Sequence, residues 1–438
     1  MKPGDTITVM ADSLSRHGDG VGVVDAIEVH VAGLLPGETA DVLVDYVSRA
    51  SPRAHGVVVT RRNSHPGRRE APCIHHGRCS GCPVMELDIA SQRELKRQSL
   101  NDRFGLRIDR MIATEDDGLH YRWSSKRVFA GNAGALVLGS YVRGTHKVAD
   151  MTGCLVDHPD IVAAATELVD VCNELAVPAY NEIDEYGDFR YAWFKTDGQG
   201  NVLLAIVTGD PIATAVFEVA ERLTIPRGIA WGVNAAKNNQ MRGTALRPIR
   251  GQQSLPIELC GVTVHVGPQA FLQPNPVTAA IAYHDLVRVP AGGTLHGRLA
   301  LDLYAGAGVT TALLREHFDV VVPCESFPES ARALGIQPAL VEEFLAEIVG
   351  DSQHPHRTVD LVIANPPRGG LGPTVCEQLN RLRATRLHIM SCSPGPLSED
   401  IKRLTGPQGA YRLIQARAFD TLPQTAHIEI VAWLVGKG

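Results

Sequence analysis

Short apolar runs alternating with turn formers occupy the chain up to about residue 62. DTITVMA, VGVVDAIEVHVAG, ETADVLVDYV and RAHGVVVTRR are punctuated by His17-Gly18-Asp19-Gly20 and Leu35-Pro36-Gly37-Glu38. Short β-like runs broken at glycine and proline predict a small β-barrel over 1–62. Between 63 and 260 the pattern is mixed. ALVLGSYV and NVLLAIVT read as strands, and IVAAATELVDVCNELA has helical spacing, so a central α+β domain is expected. From 261 to 438 the continuous apolar runs LALDLYA, VVVPCE, VDLVIANPP and RLHIMSCSP alternate with helix-like segments, and HIEIVAWL adds a late strand. Buried strands joined by helices predict a doubly wound, Rossmann-like α/β sheet whose ligands sit at the carboxyl ends of its strands.

With 438 residues, 44% of them hydrophobic, the chain has material for two or three cored domains. No apolar run approaches the roughly 18 residues of a membrane span, and the opening MKPGDTITVMADS lacks the blocks of a secretory signal. A cytoplasmic monomer with no membrane partner is expected. The net charge of −6 argues against a surface that binds nucleic acid throughout. The distribution is uneven, however: residues 50–127 hold 15 Lys and Arg against 9 Asp and Glu, with five histidines. That excess is either a phosphate-facing surface or ordinary solvated charge.

Three clusters carry candidate chemistry. Cys73, Cys79 and Cys82 form C-x(5)-C-x(2)-C in APCIHHGRCSGCP, and Cys154 follows in DMTGCLVD. In a reducing compartment this spacing points to ligation, by tetrahedral zinc or a [4Fe–4S] cluster, rather than to disulfides. Cys172, Cys260, Cys324 and Cys376 read as buried packing residues. DLYAGAG, with Gly306 and Gly308, follows a strand and precedes the helix-like TTALLREHF; Glu325 stands 17 residues beyond Gly308, where a carboxylate takes ribose hydroxyls. The loop lacks the GKS or GKT of a triphosphate site, which favours S-adenosylmethionine over ATP. Finally, Cys392 follows one predicted strand and Glu429 lies within another. A thiol nucleophile and a carboxylate set between apolar neighbours are parts for alkylating an electron-poor pyrimidine carbon. His427 either orients Glu429 or is a satisfied core histidine, and Asn365-Pro366-Pro367-Arg368 ends a further strand toward the same cleft.

Together LLPGE, the four cysteines, FLQPN at 271–275, DLYAGAG, NPPRGGL, SCSP and DTLPQTAHIE make the chain resemble the RNA 5-methyluridine methyltransferases, uracil-C5 enzymes of tRNA and 23S rRNA. The nearest branch carries a TRAM barrel and an iron–sulfur cluster. The resemblance implies a class I methyltransferase domain. It implies a [4Fe–4S] cluster on Cys73, Cys79, Cys82 and Cys154, S-adenosylmethionine against Gln273, Tyr304 and Glu325, Cys392 as nucleophile and Glu429 as base. RNA is the implied partner, 23S rRNA ahead of tRNA. Where the family has Asp-Pro-Pro-Arg, this chain has Asn365, which keeps its place at the cofactor as a neutral amide. Val309 replaces the asparagine after the glycine loop, and the segment after Glu325 lacks the usual Asn-Ala. NPP also occurs in amino-group methyltransferases, with an aromatic residue where Arg368 stands. An inactive RNA-binding cluster protein is a third reading.

Overall fold

The computed structural model describes residues 1–114, 117–182, 184–236, 240–290 and 293–437. The N-terminal sheet has six strands in the order Thr6–Met10, Thr39–Val47, Arg53–Arg61, Ile27–Ala32, Gly20–Val24, Ser13–Leu14. Its core is small and aliphatic: Val9, Val29, Val31, Leu34, Val42 and Val44 face inward, while Val23, Val57 and Val59 on the outer face are exposed. The run VGVVDAIEVHVAG, a single element by its pattern, is a hairpin. It turns at Asp25 (φ 51°) and Ala26 (φ 62°), both left-handed as a two-residue primed turn requires; an alanine there gives no turn signal in the sequence. The sheet curls until the first strand lies against Gly20–Val24. A Cβ on Gly22 would stand 2.1 Å from the Met10 carbonyl oxygen, so only glycine permits that approach. Glu38 of LLPGE is buried and ties the sheet to the segment beyond it: its carboxylate accepts the N–H groups of Leu35 (3.0 Å) and His65 (2.9 Å) and two from Arg68 (2.6 and 2.7 Å).

The central sheet runs Val148–Asp150, Ala135–Tyr141, Ser124–Asn132, Phe189–Thr196, Val202–Thr208, Pro226–Val233, Thr244–Gly251. One face packs under the helices Pro159–Glu174 and Ala215–Arg222, with Phe189, Ala192, Phe194, Leu204 and Ile206 pointing into them. The opposite face carries Tyr191, Trp193, Ala205 and Val207.

The third sheet has the order Phe318–Cys324, Gly297–Leu303, Leu361–Ala364, Arg386–Ser391, Glu429–Gly436, Tyr411–Phe419, Met111–Ile112. The first four strands are parallel and Glu429–Gly436 runs against them. Leu361–Ala364 is buried throughout, which is why its apolar residues do not alternate with polar ones. Two segments upstream of 261 belong to this body. Helix Ile89–Phe104 buries Leu100 beside Leu387 and Leu397, and Met111–Ile112 adds an edge strand parallel to Tyr411–Phe419. The hairpin Leu255–Leu259/Val262–Val266 packs on the other face, so the boundary expected at 260 falls in its turn. Among the described residues no helix is long and apolar enough to cross a membrane.

Candidate active site

Sheet register brings the two expected reacting residues together. In the antiparallel pair Arg386–Ser391/Glu429–Gly436, Ser391 faces Ile430; carried one residue further, the same register sets Cys392 beside Glu429. Cys392 also precedes Ser393, the N-cap of the twelve-residue helix Pro394–Thr405, whose positive end favours a thiolate. Both residues line a cleft of about 500 Å³ with Gln273, Tyr304, Asn365 and Arg368. A neighbouring cleft of about 380 Å³, between the N-terminal sheet and helix Ile89–Phe104, shares Arg368, Cys392, His427 and Ile428 with it. The thiol thus stands at the junction of two openings.

The electrostatics are set by burial. Glu429 is 8% exposed, and loss of hydration pushes its carboxyl up to about 8, against the pull of Arg368. The Cys392 thiol is raised by burial and then by Glu429, while Ser393 and Arg368 lower it. Cys392 Sγ lies 3.9 Å from Ser393 Oγ. His427 lines both clefts but makes no hydrogen bond to Glu429 among the described residues. Burial and then Arg368 push it down to about 4, so it is neutral at ordinary pH. The orienting role expected for His427 is therefore not what this arrangement provides. Arg368, which in the sequence is only an arginine in an aromatic position, is an exposed cation whose charge reaches both members of the reacting pair. Its place after two prolines at a strand end was the available signal.

The glycine loop is built by strain and by one carboxylate. Tyr304, at the end of Gly297–Leu303, sits at φ 61°, an unfavourable conformation for a side chain of that size. Gly306 (φ 56°) and Gly308 (φ 83°) come next. A Cβ on Gly306 would meet only the Tyr304 carbonyl oxygen at 4.0 Å, so the loop is open toward a ligand there. Glu325 stands behind the loop rather than on the cleft wall. It accepts the Gly306 N–H (2.8 Å) and the Phe327 N–H (2.6 Å). In this structure Glu325 shapes the loop; holding a ribose as well would draw on the remaining lone pairs of the same oxygens. Asp302, buried and raised to about 6 by desolvation, accepts the Thr310 and Thr311 hydroxyls (2.8 and 2.6 Å) and pins the adjoining helix. Gln273 is buried on the cleft wall in hydrogen-bond contact with Tyr283, and the Asn365 N–H donates to the Leu303 carbonyl (3.3 Å).

The segment that delivers Glu429 is held from far upstream, a set of contacts that spacing along the chain does not reveal. Lys96 Nζ donates to buried Asp420 Oδ1 at 2.6 Å. Gln92 Nε2 donates to Gln424 Oε1 (2.8 Å), while the Gln424 N–H donates back to Gln92 Oε1 (2.9 Å). Asp420→Ala strands a buried ammonium, so the expected loss is roughly 3–5 kcal/mol of unfolding free energy by denaturant titration. Lys96→Met combined with Asp420→Leu should recover most of it; a single variant as stable as the parent would contradict this reading.

Cys73, Cys82 and Cys154 share a small apolar cluster with Met85, Tyr121 and Val156. Cys79 lies in the same loop, its thiol raised by burial and, further, by Cys73. Among the described residues no group of three or more His, Cys, Asp or Glu side chains is placed to hold a metal ion. Cys172, Cys324 and Cys376 are buried in the cores, while Cys260 is half-buried at the hairpin turn.

A strand-end glycine loop, a cleft at the carboxyl ends of parallel strands and a final antiparallel strand define a Rossmann-like methyltransferase fold, here joined to an N-terminal sheet domain. The likeness carried by the motifs holds over the whole chain. It is 28% identical to an uncharacterized RNA methyltransferase of Geobacter sulfurreducens, across 100% of this chain and 91% of that one. It is 27% identical to another of Halalkalibacterium halodurans, across 100% and 98%. The solved tRNA (uracil-54, C5)-methyltransferase of Pyrococcus abyssi, in complex with S-adenosyl-L-homocysteine, superposes with a TM-score of 0.77 at 22% identity, covering 98% of this chain and 99% of that one. No family model matches the chain.

Proposed function

We propose that this protein is an S-adenosylmethionine-dependent RNA methyltransferase that forms 5-methyluridine through a covalent cysteine adduct. The observation that carries the reading is that Cys392, just past the end of Arg386–Ser391, and Glu429, in the strand paired with it, line one cleft with the glycine loop. An amino-group methyltransferase needs no thiol there.

Gln273, Tyr304, Gly306, Gly308 and Asn365 would hold the cofactor, with Glu325 supporting the loop. The open backbone at Gly306 and the size of the cleft suit an adenosyl ligand. When bound, S-adenosylmethionine supplies an electrophilic methyl group. Cys392 Sγ adds to carbon 6 of an extruded uracil, and the electron pair displaced from the ring double bond makes carbon 5 nucleophilic. Arg368, at the cleft mouth, offsets negative charge as it develops. Carbon 5 would take the methyl group, the donor sulfonium keeping the electrons of the broken carbon–sulfur bond as a neutral thioether; Glu429 would then remove the proton from carbon 5, and the ring double bond would re-form as Cys392 leaves with the electrons of its own carbon–sulfur bond. Burial suits Glu429 to this task by making it a stronger base than an exposed carboxylate.

Cys73, Cys79, Cys82 and Cys154 are proposed to hold a [4Fe–4S] cluster rather than zinc. Four thiolates suit either group, and the preference for the cluster rests on the resemblance to the iron–sulfur branch. Anaerobically purified protein is expected to contain iron and acid-labile sulfide by elemental and colorimetric assay; stoichiometric zinc would overturn this part.

The test of the whole reading is transfer of labelled methyl groups to RNA followed by nucleoside analysis. 5-Methyluridine is expected, a methylated amino group would favour the NPP alternative, and no product would favour an inactive binding protein. Mapping 5-methyluridine in rRNA and tRNA, with and without the gene, decides between 23S rRNA, the target suggested by the barrel and cysteines, and tRNA, the substrate named for the Pyrococcus abyssi enzyme.

A further inference from the structure

The face of the central sheet opposite its helices carries an unusual grouping of charge. Trp193 and Lys195 point the same way from Phe189–Thr196, two residues apart. In the neighbouring strand Lys126 is paired with Trp193 and Ser124 with Lys195. Lys126 Nζ lies 4.1 Å from the Trp193 ring centroid, Lys195 Nζ 6.0 Å and Arg242 Cζ 5.8 Å, so three cations share one indole. Trp193 is itself fixed by donating Nε1–H to the Met241 carbonyl at 2.8 Å.

None of the three cations has a carboxylate partner among the described residues. Lys195 is 2% exposed, and its ammonium donates only to Ser124 Oγ, at 2.8 Å. A buried charge without a counter-charge is costly, and two further cations beside it make the site worse. Burial, then Lys126 and Arg242, bring the Lys195 ammonium down to about 7. Such a cluster is built for an anion that arrives from outside the chain.

Its position says which anion. Lys126 feels the charge of Arg368, which lines the reacting cleft. Arg242 Cζ also lies 5.6 Å from the ring of Phe327, next to the loop that Glu325 braces. Leu203, on the same sheet face as Ala205, packs into the core beneath the reacting cleft. We propose that Lys126 and Arg242, gathered over Trp193 with the buried Lys195 ammonium adding its charge from beneath, bind a phosphate of the RNA backbone close to the nucleotide being modified. The site rests on RNA being the substrate but not on methyl transfer, and its geometry is that of two exposed cations over a buried indole, with a third cation beneath them.

The probe is oligouridylate, bound to full-length protein carrying Cys392→Ala so that turnover plays no part, with affinity followed by fluorescence anisotropy across a salt series. Lys126 and Arg242 are both exposed, so truncating them leaves the core intact. Lys126→Ala with Arg242→Ala is expected to weaken binding and to reduce the log–log salt slope by about 1, the change for one phosphate no longer neutralised. Lys195→Met, which keeps the length of the side chain, is expected to weaken RNA binding while leaving the unfolding transition no lower than that of the parent. Unchanged affinity and slope in the double variant would overturn the site, as would a Lys195→Met protein that is less stable yet binds RNA normally. If no RNA is methylated by the wild type but the slope still falls, the phosphate site stands and the methylation reading fails; methylation with an unaltered slope gives the reverse.

Discussion

Replacing Cys392 by alanine is expected to lower methyl transfer by at least about 10⁴-fold, the scale of removing a covalent nucleophile, while S-adenosylmethionine binding stays within a factor of a few. Two observations motivate the separation. Cys392 sits at the junction of the two clefts, beside Glu429 and Arg368, whereas the glycine loop is fixed by Glu325 and Asp302 on other strands. The side chain is half-buried, and its one polar side-chain contact among the described residues is at 3.9 Å with Ser393, so its removal leaves no strong bond unsatisfied. Calorimetry with the cofactor and single-turnover kinetics with labelled donor make the comparison. A variant that still methylates at a comparable rate would exclude the covalent route.

Glu429→Gln should separate formation of the adduct from its release. The amide fills the same space but cannot take the carbon 5 proton, so the methylated adduct is expected to accumulate, with release slowed by about 10²–10⁴-fold. An RNA–protein species of reduced mobility on denaturing gels is the readout; its absence would remove Glu429 from the role of base. The pH dependence has the same origin in burial. Glu429 must be ionised to act, and its carboxyl titrates near 8, so release in the wild type should quicken as pH rises toward that value and then level off. Folding responds in the opposite direction. A carboxyl pKa raised in the native state means that the native state holds the proton more tightly than the unfolded chain does. Stability contributed by this group is therefore present at low pH and falls as pH climbs from the ordinary carboxylate range to about 8. In Glu429→Gln that part of the decline should vanish, which unfolding titrations at several pH values would show.

Much of this arrangement was legible from local pattern. The run LVIA is continuous and apolar because its strand is covered on both faces, and the motifs fall where such strands end. The Cys392–Glu429 pair was expected as chemistry but not as geometry, since the register that joins them depends on which way the last strand runs. Long-range polar contacts left no local trace: Gln92 with Gln424 and Lys96 with Asp420 are ordinary helix residues until the partner loop is known. The hairpin turn at Asp25 and Ala26 was hidden for the opposite reason, because the pairing of Val24 with Ile27 holds an exposed alanine in a conformation that its own preference opposes. Arg368 lay inside a motif whose asparagine and prolines drew the reading. The cations over Trp193 come from strands that are adjacent only in the folded sheet.

The edge strand Met111–Ile112 and the helix before it belong to the same body as Tyr411–Phe419 and Glu429–Gly436. During translation those early residues must therefore wait, with Lys96 and Leu100 uncovered, while some three hundred more are made. Cys392 and Glu429, the proposed nucleophile and base, cannot meet before the strand bearing Glu429 has left the ribosome and slotted between its neighbours. A half-synthesised chain thus lacks the arrangement proposed for catalysis, however well its other domains have folded.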